Sequence, residues 1–350
     1  MDVEQGAGRP RTCRASTLEL LSHPIWHDVV MSRALVRSTL LDSGVLRTSI
    51  DHALRAKHWE RQHNGIYLNT MLDGQQRWMA QLDGHIIRGG PGSAASHRAA
   101  AVLWKMDGVT GFPLDVTVGF DSGFKRPPAI RSRTLTSADV TWVGGVAVTN
   151  KARTLCDLGR FESDRVVEQA LESVLRGPDR RRPFEWNEEL LAELHRRVST
   201  DTRSRGIATL RRVLVRRADR NRPTGSFAET VAVQALALAG IAVICQPTLA
   251  ITRTATFFPD IAVPSRGLLI EIDGRAGHEG EDARARDLPR QNLLLRGFDL
   301  MRFTARAALA DAAGLAEQVR HRVRELPARG DSWEVNATKV SRTAEGWIVS

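Results

Sequence analysis

The sequence predicts a multidomain α+β protein, and three observations carry that expectation. At 350 residues the chain exceeds one ordinary domain. Near the start, helical periodicity gives way to an Asn-Gly hairpin signal. Near the end, helix-like and strand-like segments follow one another as α-β-β-β-α-β-α. An apolar content of 42% supplies material for packed cores.

Residues 1–27 read as a flexible leader. In 28–75, Ser32 is the expected N-cap of a helix carrying Leu35, Val36 and Leu40 on one face, and Gly44 ends it. Leu46, Ile50 and Leu54 recur at i, i+4, i+8, which predicts a second amphipathic helix. Asn64-Gly65 then supplies a tight turn between short runs holding Trp59 and Tyr67. Residues 76–160 form an α/β middle segment: "SHRAAAVLW" is helical, "LDVTV" and "VTWVGGVAV" are strands, and "TNKARTLCDL" opens a helix behind a Thr or Asn cap. Residues 161–224 read as a helical, Arg-rich linker, 225–328 as the last compact unit, and 329–350 as a tail.

No run approaches the ~20 apolar residues of a membrane span, and no apolar signal region opens the chain. Cys13, Cys156 and Cys245 are too scattered for a disulfide framework or a zinc site. The expectation is a soluble, cytoplasmic protein with no membrane partner. The net charge is +10, from 50 basic and 40 acidic residues. Residues 226–325 hold 12 of each sign, so the whole excess lies outside the last unit. Such a balance favours a nucleic-acid partner.

The stretch "FFPDIAVPSRGLLIEIDG" places Asp260, Glu271 and Asp273 in two runs that otherwise read as buried strands. Charged groups in such places point to solvent or are held by something positive. "PSRG" is a connection suited to a hairpin, and if Val263 pairs with Leu268, Asp260 stands opposite Glu271. Alternation then puts Asp260, Glu271 and Asp273 on one face, and Ile261, Ile270 and Ile272 on the other. Directly opposed side chains have Cβ atoms about 4.5–5.5 Å apart. Two carboxylates that close repel unless a proton or a cation intervenes, and Mg²⁺ or Mn²⁺ suits such an oxygen pair. A Gly-rich loop carrying His278, helix residues Arg290 and Gln291, and Arg302 follow, while Glu229 opens the first helix of the unit. Glu229 also follows Ser226 as S-x-x-E, a capping box, so a purely structural role is open to it.

"PD", ten intervening residues and "EID", in an αβββαβα order, resemble the PD-(D/E)XK nuclease superfamily. "E-x-D-G-x-x-x-H" and "RQN…GFDLMRF" are similar to its very-short-patch-repair-like branch. The resemblance implies a restriction-endonuclease-like domain that hydrolyses phosphodiester bonds. Asp260 and Glu271 would be Mg²⁺ ligands, with the Ile272 carbonyl as a third. Glu229 would match the acid of the first helix, and His278 would act as base or leaving-group acid. Arg290 or Gln291 would meet the scissile phosphate. Two departures stand out: Asp273 occupies the place where the superfamily usually has Lys, and Pro289 sits where the loop becomes helix.

The stretch from Ser32 to Leu68 resembles the winged helix-turn-helix of AbiEi-type antitoxins, and "SHRAAAVLW" with "GGVAVTNKARTLCDL" resembles the segment that follows it there. This implies DNA contact by Arg47, Ser49, His52 and Arg55 on the second helix, with Arg61 or His63 of the wing near phosphate. Two functions are therefore expected. One is a DNA-binding, Mg²⁺-dependent endonuclease acting in phage defence or repair. The alternative is a non-catalytic antitoxin or transcriptional repressor of a type IV toxin-antitoxin system, with a cognate toxin as partner and a degenerate nuclease domain.

Overall fold

The structure, a computed structural model, describes residues 33–176, 186–201, 205–218, 222–251, 255–274, 297–335, 338–343 and 346–349. It is a mixed α+β protein with two compact units. The first holds the chain up to Ala99 together with Phe112–Thr149, and the second holds Ala100–Gly111 and everything from Asn150 onward. The helix starting at Lys151 thus belongs with the downstream helices and not with the middle segment.

In the first unit, β1 (Leu35–Val36), β2 (Trp59–His63) and β3 (Ile66–Asn69) form a sheet ordered β1-β3-β2. Leu35 and Val36 are therefore strand, pairing with Tyr67 and Ile66, and the first helix begins only at Arg37. The helical spacing of Leu35, Val36 and Leu40 misleads here because a β ladder to the hairpin captures the first two residues. The helix Arg47–Arg55 buries Ile50 and Ala53 against Leu35, Leu40, Val45, Trp59 and Tyr67. Gly65, at φ +74°, closes the β2–β3 turn. The helix Gly74–Gly89 packs on β2 and β3 and also on a second, five-stranded sheet. That sheet comprises β4 (Ala94–Ala95), β5 (Val116–Gly119), β6 (Ala129–Ser132), β7 (Val140–Val143) and β8 (Val146–Thr149), ordered β6-β5-β4-β8-β7.

From Asn150 onward the second unit continues with the helices Lys151–Leu158, Asp164–Leu175, Glu188–Thr200 and Ile207–Arg217. Asn150, Ser163 and Asn187 cap the first three through side-chain oxygens that accept from the backbone N–H three residues on. Leu155, Leu158, Leu171, Leu175, Leu194 and Leu210 fill their common core. The supposed linker is therefore a packed helical cluster. Gly206 is required there, since a Cβ on it would lie 1.9 Å from the Cys156 carbonyl oxygen. Much of its arginine content is held internally: Arg217 pairs with Glu172 and Arg153 with Asp157, all four buried, while Arg212 and Arg216 share Asp164.

The helix Phe227–Leu238 follows, then β9 (Ile244–Cys245), β10 (Thr248–Ile251), β11 (Ala255–Phe257), β12 (Ile261–Val263), β13 (Leu268–Asp273) and β14 (Asp299–Thr304). The helices Ala305–Ala310 and Ala312–Glu325 come next, and β15 (Ser332–Val335), β16 (Thr338–Arg342) and β17 (Gly346–Val349) end the fold. A four-stranded sheet, β14-β13-β12-β9, carries three layers' worth of packing. Ile261, Val263, Leu268, Ile270 and Ile272 face the three helices. Ala262 and Leu269, of the opposite parity, face Leu249, Val340, Trp347 and Val349 of a second sheet ordered β11-β10-β17-β16-β15.

One sequence expectation changes. The first of the two strand-like runs, "FFPDIAV", is not one strand: it breaks at Phe258–Asp260, where Pro259 cannot donate to a ladder, and the strands on either side join different sheets. The tail, whose role the sequence left open, joins the second sheet. β17 pairs in parallel with β10, and Trp347, 1% exposed, meets Phe298 edge-on at 5.3 Å.

Candidate functional site

The hairpin has the register its turn predicts. Val263 pairs with Leu268, Ala262 with Leu269 and Ile261 with Ile270. Asp260 lies one step beyond this ladder, opposite Glu271 by extension of the same register. Its half-buried carboxylate accepts a 2.7 Å hydrogen bond at Oδ2 from the backbone N–H of Ile272, beside Glu271. Glu271 is 5% exposed despite its charge. The parallel partner strand explains how: β14 sets Arg302 directly across from Glu271, and the guanidinium pairs with its carboxylate.

Glu229 enters from the start of the Phe227–Leu238 helix, 5% exposed. Ser226 Oγ accepts from the Glu229 N–H at 3.2 Å, the capping contact that S-x-x-E predicts. The return contact goes one residue further than in a capping box, because Glu229 Oε2 accepts from the Gly225 N–H at 2.6 Å. The same oxygen accepts from Gln246 Nε2 at 3.0 Å, and that amide also reaches Asp260 Oδ1 at 3.4 Å. Glu229, Gln246 and Asp260 thus form a chain ending beside Glu271.

Electrostatics match this crowding. Burial first, then the charges of Glu229 and Glu271, push the Asp260 carboxyl up to about 8, against the hydrogen bonds from Ile272 and Gln246. Burial likewise raises Glu229, opposed by its contacts with Ser226, Gly225 and Gln246 and by the charge of Arg176. Asp260 and Glu229, whose ionisation burial disfavours, offer oxygen donors of the kind a hard cation prefers. Asp260 and Glu271 would supply at most a pair of ligands. Among the described residues no three carboxylate, imidazole or thiolate groups converge into a complete cage. Mg²⁺ is commonly held by one or two carboxylates and keeps several waters.

Not every expected residue joins this corner. Asp273 ends β13 and is exposed. It shares the parity of Glu271 but sits at the exposed end of the strand. His278, Arg290 and Gln291 lie outside the described residues. Gln246 was not singled out by the sequence. "CQP" marks only a polar residue before a proline, with no hint that it turns inward.

In the first unit, Arg47, His52 and Arg55 are exposed on the helix face opposite Ile50 and Ala53, and Ser49 is half-buried among them. Arg61 is exposed on β2. His63 is different. A bulge between Arg61 and His63 turns its ring inward, where Nε2 lies 2.8 Å from His85 Nδ1 and the ring packs edge-on against Phe124 at 5.2 Å. His63 is thus half-buried against His85 and Phe124, unlike the exposed Arg61.

Burial first, then the charge of Arg88, lowers the His63 pKa; burial first, then His63, brings His85 down to about 4. Both rings are held neutral, so the unfolded chain binds more protons than the folded one below pH 6.5. The stability they contribute is complete above about pH 6.5 and is lost as pH falls towards 4. Thermal melts should show stability falling across that window, and falling less in His85→Phe. An unchanged slope in the variant would mean the pair does not couple protonation to folding.

No family model matches the chain, and no curated protein shows detectable similarity to it.

Proposed function

We propose that the protein is a metal-dependent DNA endonuclease whose acid corner cuts duplexes held by its N-terminal winged helix-turn-helix. The observation that carries this reading is the approach of Asp260 to the Glu271 end of β13, fixed by the Ile272 N–H, with Glu229 tied in behind. Asp260 and Glu271 would hold Mg²⁺ or Mn²⁺. When bound, the ion would lower the pKa of a water and offset charge developing on phosphate. The chain's own residues do the positioning. Ile272 N–H orients Asp260, Arg302 orients Glu271, Arg47, Arg55 and Arg61 offer cations to the duplex, and His52 offers a ring nitrogen.

Supercoiled plasmid incubated with the full chain tests this directly. Nicked or linear product is expected with Mg²⁺ or Mn²⁺ and none with chelator. Intact plasmid with every divalent ion, at protein concentrations that bind DNA, would reject catalysis.

A second reading has its own support. Asp273, exposed where related nucleases usually place Lys, leaves the corner without that group, and Arg302 already balances Glu271. On that reading the protein is an antitoxin or repressor, and its cognate toxin is the partner to seek. It predicts sequence-specific promoter binding that Asp260 and Glu271 substitutions do not alter.

A further inference from the structure

Gln246 is the unusual residue of the acid corner. Its backbone is left-handed, φ +49°, a conformation uncommon for any residue with a side chain. Such backbone persists only where the surroundings hold it, and it gathers at functional sites. The surroundings here are specific. Its N–H donates to the Asp260 carbonyl oxygen at 2.9 Å, and its own carbonyl accepts from Arg222 Nη1 at 2.9 Å. The side chain is turned inward and the residue is 6% exposed. Gly225 makes room for it, since a Cβ there would sit 3.0 Å from Gln246 Nε2 and 3.1 Å from both Glu229 carboxylate oxygens.

We propose that Gln246 is a positioning residue for the metal site, its carboxamide fixing Asp260 and tying Glu229 to it as an outer carboxylate. This rests on the endonuclease reading. The helix cap accounts for the contacts of Glu229 with Ser226 and Gly225, but not for its contact with Gln246. An amide –NH₂ carries two N–H donors and no charge. It can therefore bridge two carboxylates, easing their repulsion, without opposing a divalent cation as a lysine in its place would. Groups that orient metal ligands from behind typically govern affinity by 10–100-fold.

The test is a Mn²⁺ titration of the full chain, followed by electron paramagnetic resonance or calorimetry, in parallel with metal-free melting curves. Wild type is expected to bind Mn²⁺, and Gln246→Met to bind about 10- to 100-fold more weakly at an unchanged fold. Should Gln246→Met fail to fold, Gln246→Asn, which stays neutral but draws the amide back from both carboxylates, carries the same expectation. In a Glu229→Gln background the Gln246→Met change should cost much less affinity, because one of its two partners is already altered. Wild-type affinity in a folded Gln246 variant, or losses that simply add, would overturn the assignment while leaving the endonuclease reading intact. A wild-type protein that takes up no Mn²⁺ would overturn both.

Discussion

Asp260→Asn should abolish metal-dependent cleavage, by at least about 10³-fold, while raising the melting temperature of the metal-free protein. The two effects have one cause. Asparagine keeps the shape of the side chain and an oxygen to accept from the Ile272 N–H, so the hairpin end stays in place. What it removes is an ionisable group that burial and the Glu229 and Glu271 charges already resist. Relieving that crowding should contribute on the order of 1–2 kcal/mol at neutral pH, visible as a rise of several degrees. The same change takes away one of two expected cation ligands. Added Mg²⁺ should therefore raise the melting temperature of wild type by mass action and leave the variant unmoved. Loss of cleavage with a lowered melting temperature would instead mark Asp260 as a structural residue.

Arg217→Ala should be the most damaging single change in the helical cluster. Arg217 and Glu172 are 4% and 0% exposed, and Arg217 Nε donates to Glu172 Oε1 at 2.9 Å. Glu172 Oε2 also accepts from the Thr224 N–H at 3.0 Å, so this pair joins the helices to the segment leading into Phe227–Leu238. Removing Arg217 takes the guanidinium from a buried carboxylate, at a cost of about 3–5 kcal/mol. Urea denaturation should show that loss, and the double change Arg217→Met with Glu172→Leu should recover most of it. Arg212→Ala, at an exposed pair with Asp164, should cost no more than about 1 kcal/mol. Equal effects at Arg212 and Arg217 would contradict this account of the cluster.

These pairs also bear on how far composition speaks. A surplus of arginine suggests a nucleic-acid partner, yet Arg153, Arg176, Arg212, Arg216 and Arg217 are engaged with acids of the chain itself. Charge counts cannot separate those from Arg47, Arg55 and Arg61, which are exposed. The hairpin was legible because its signals are local: a turn-forming "PSRG", alternating parity and bulky β-branched residues jointly set the register of Asp260 and Glu271. Asp273 shared that parity but escaped the corner, since parity says which face a residue takes and not where its strand loses cover.

The misses share a different cause. Parallel pairing of Thr248–Ile251 with Gly346–Val349 joins segments almost a hundred residues apart, and nothing local announces it. Leu35 and Val36 fit a helix pattern by spacing and a strand by partner, and the partner won. His63 looked like a solvent-facing wing residue until the bulge at Arg61–His63 turned it towards His85. Gln246 needs both a left-handed backbone and Gly225 opposite, a coincidence that only folding reveals.

The central physical claim is that Asp260 and Glu271 form one oxygen-lined seat for a divalent ion. Crystals soaked in Mn²⁺ and measured at the manganese absorption edge would test it most directly. The account predicts an anomalous peak within bonding distance of both carboxylates, near 2.1–2.3 Å, absent from Asp260→Asn crystals. Manganese bound elsewhere, with the corner closed by Arg302 alone, would contradict it.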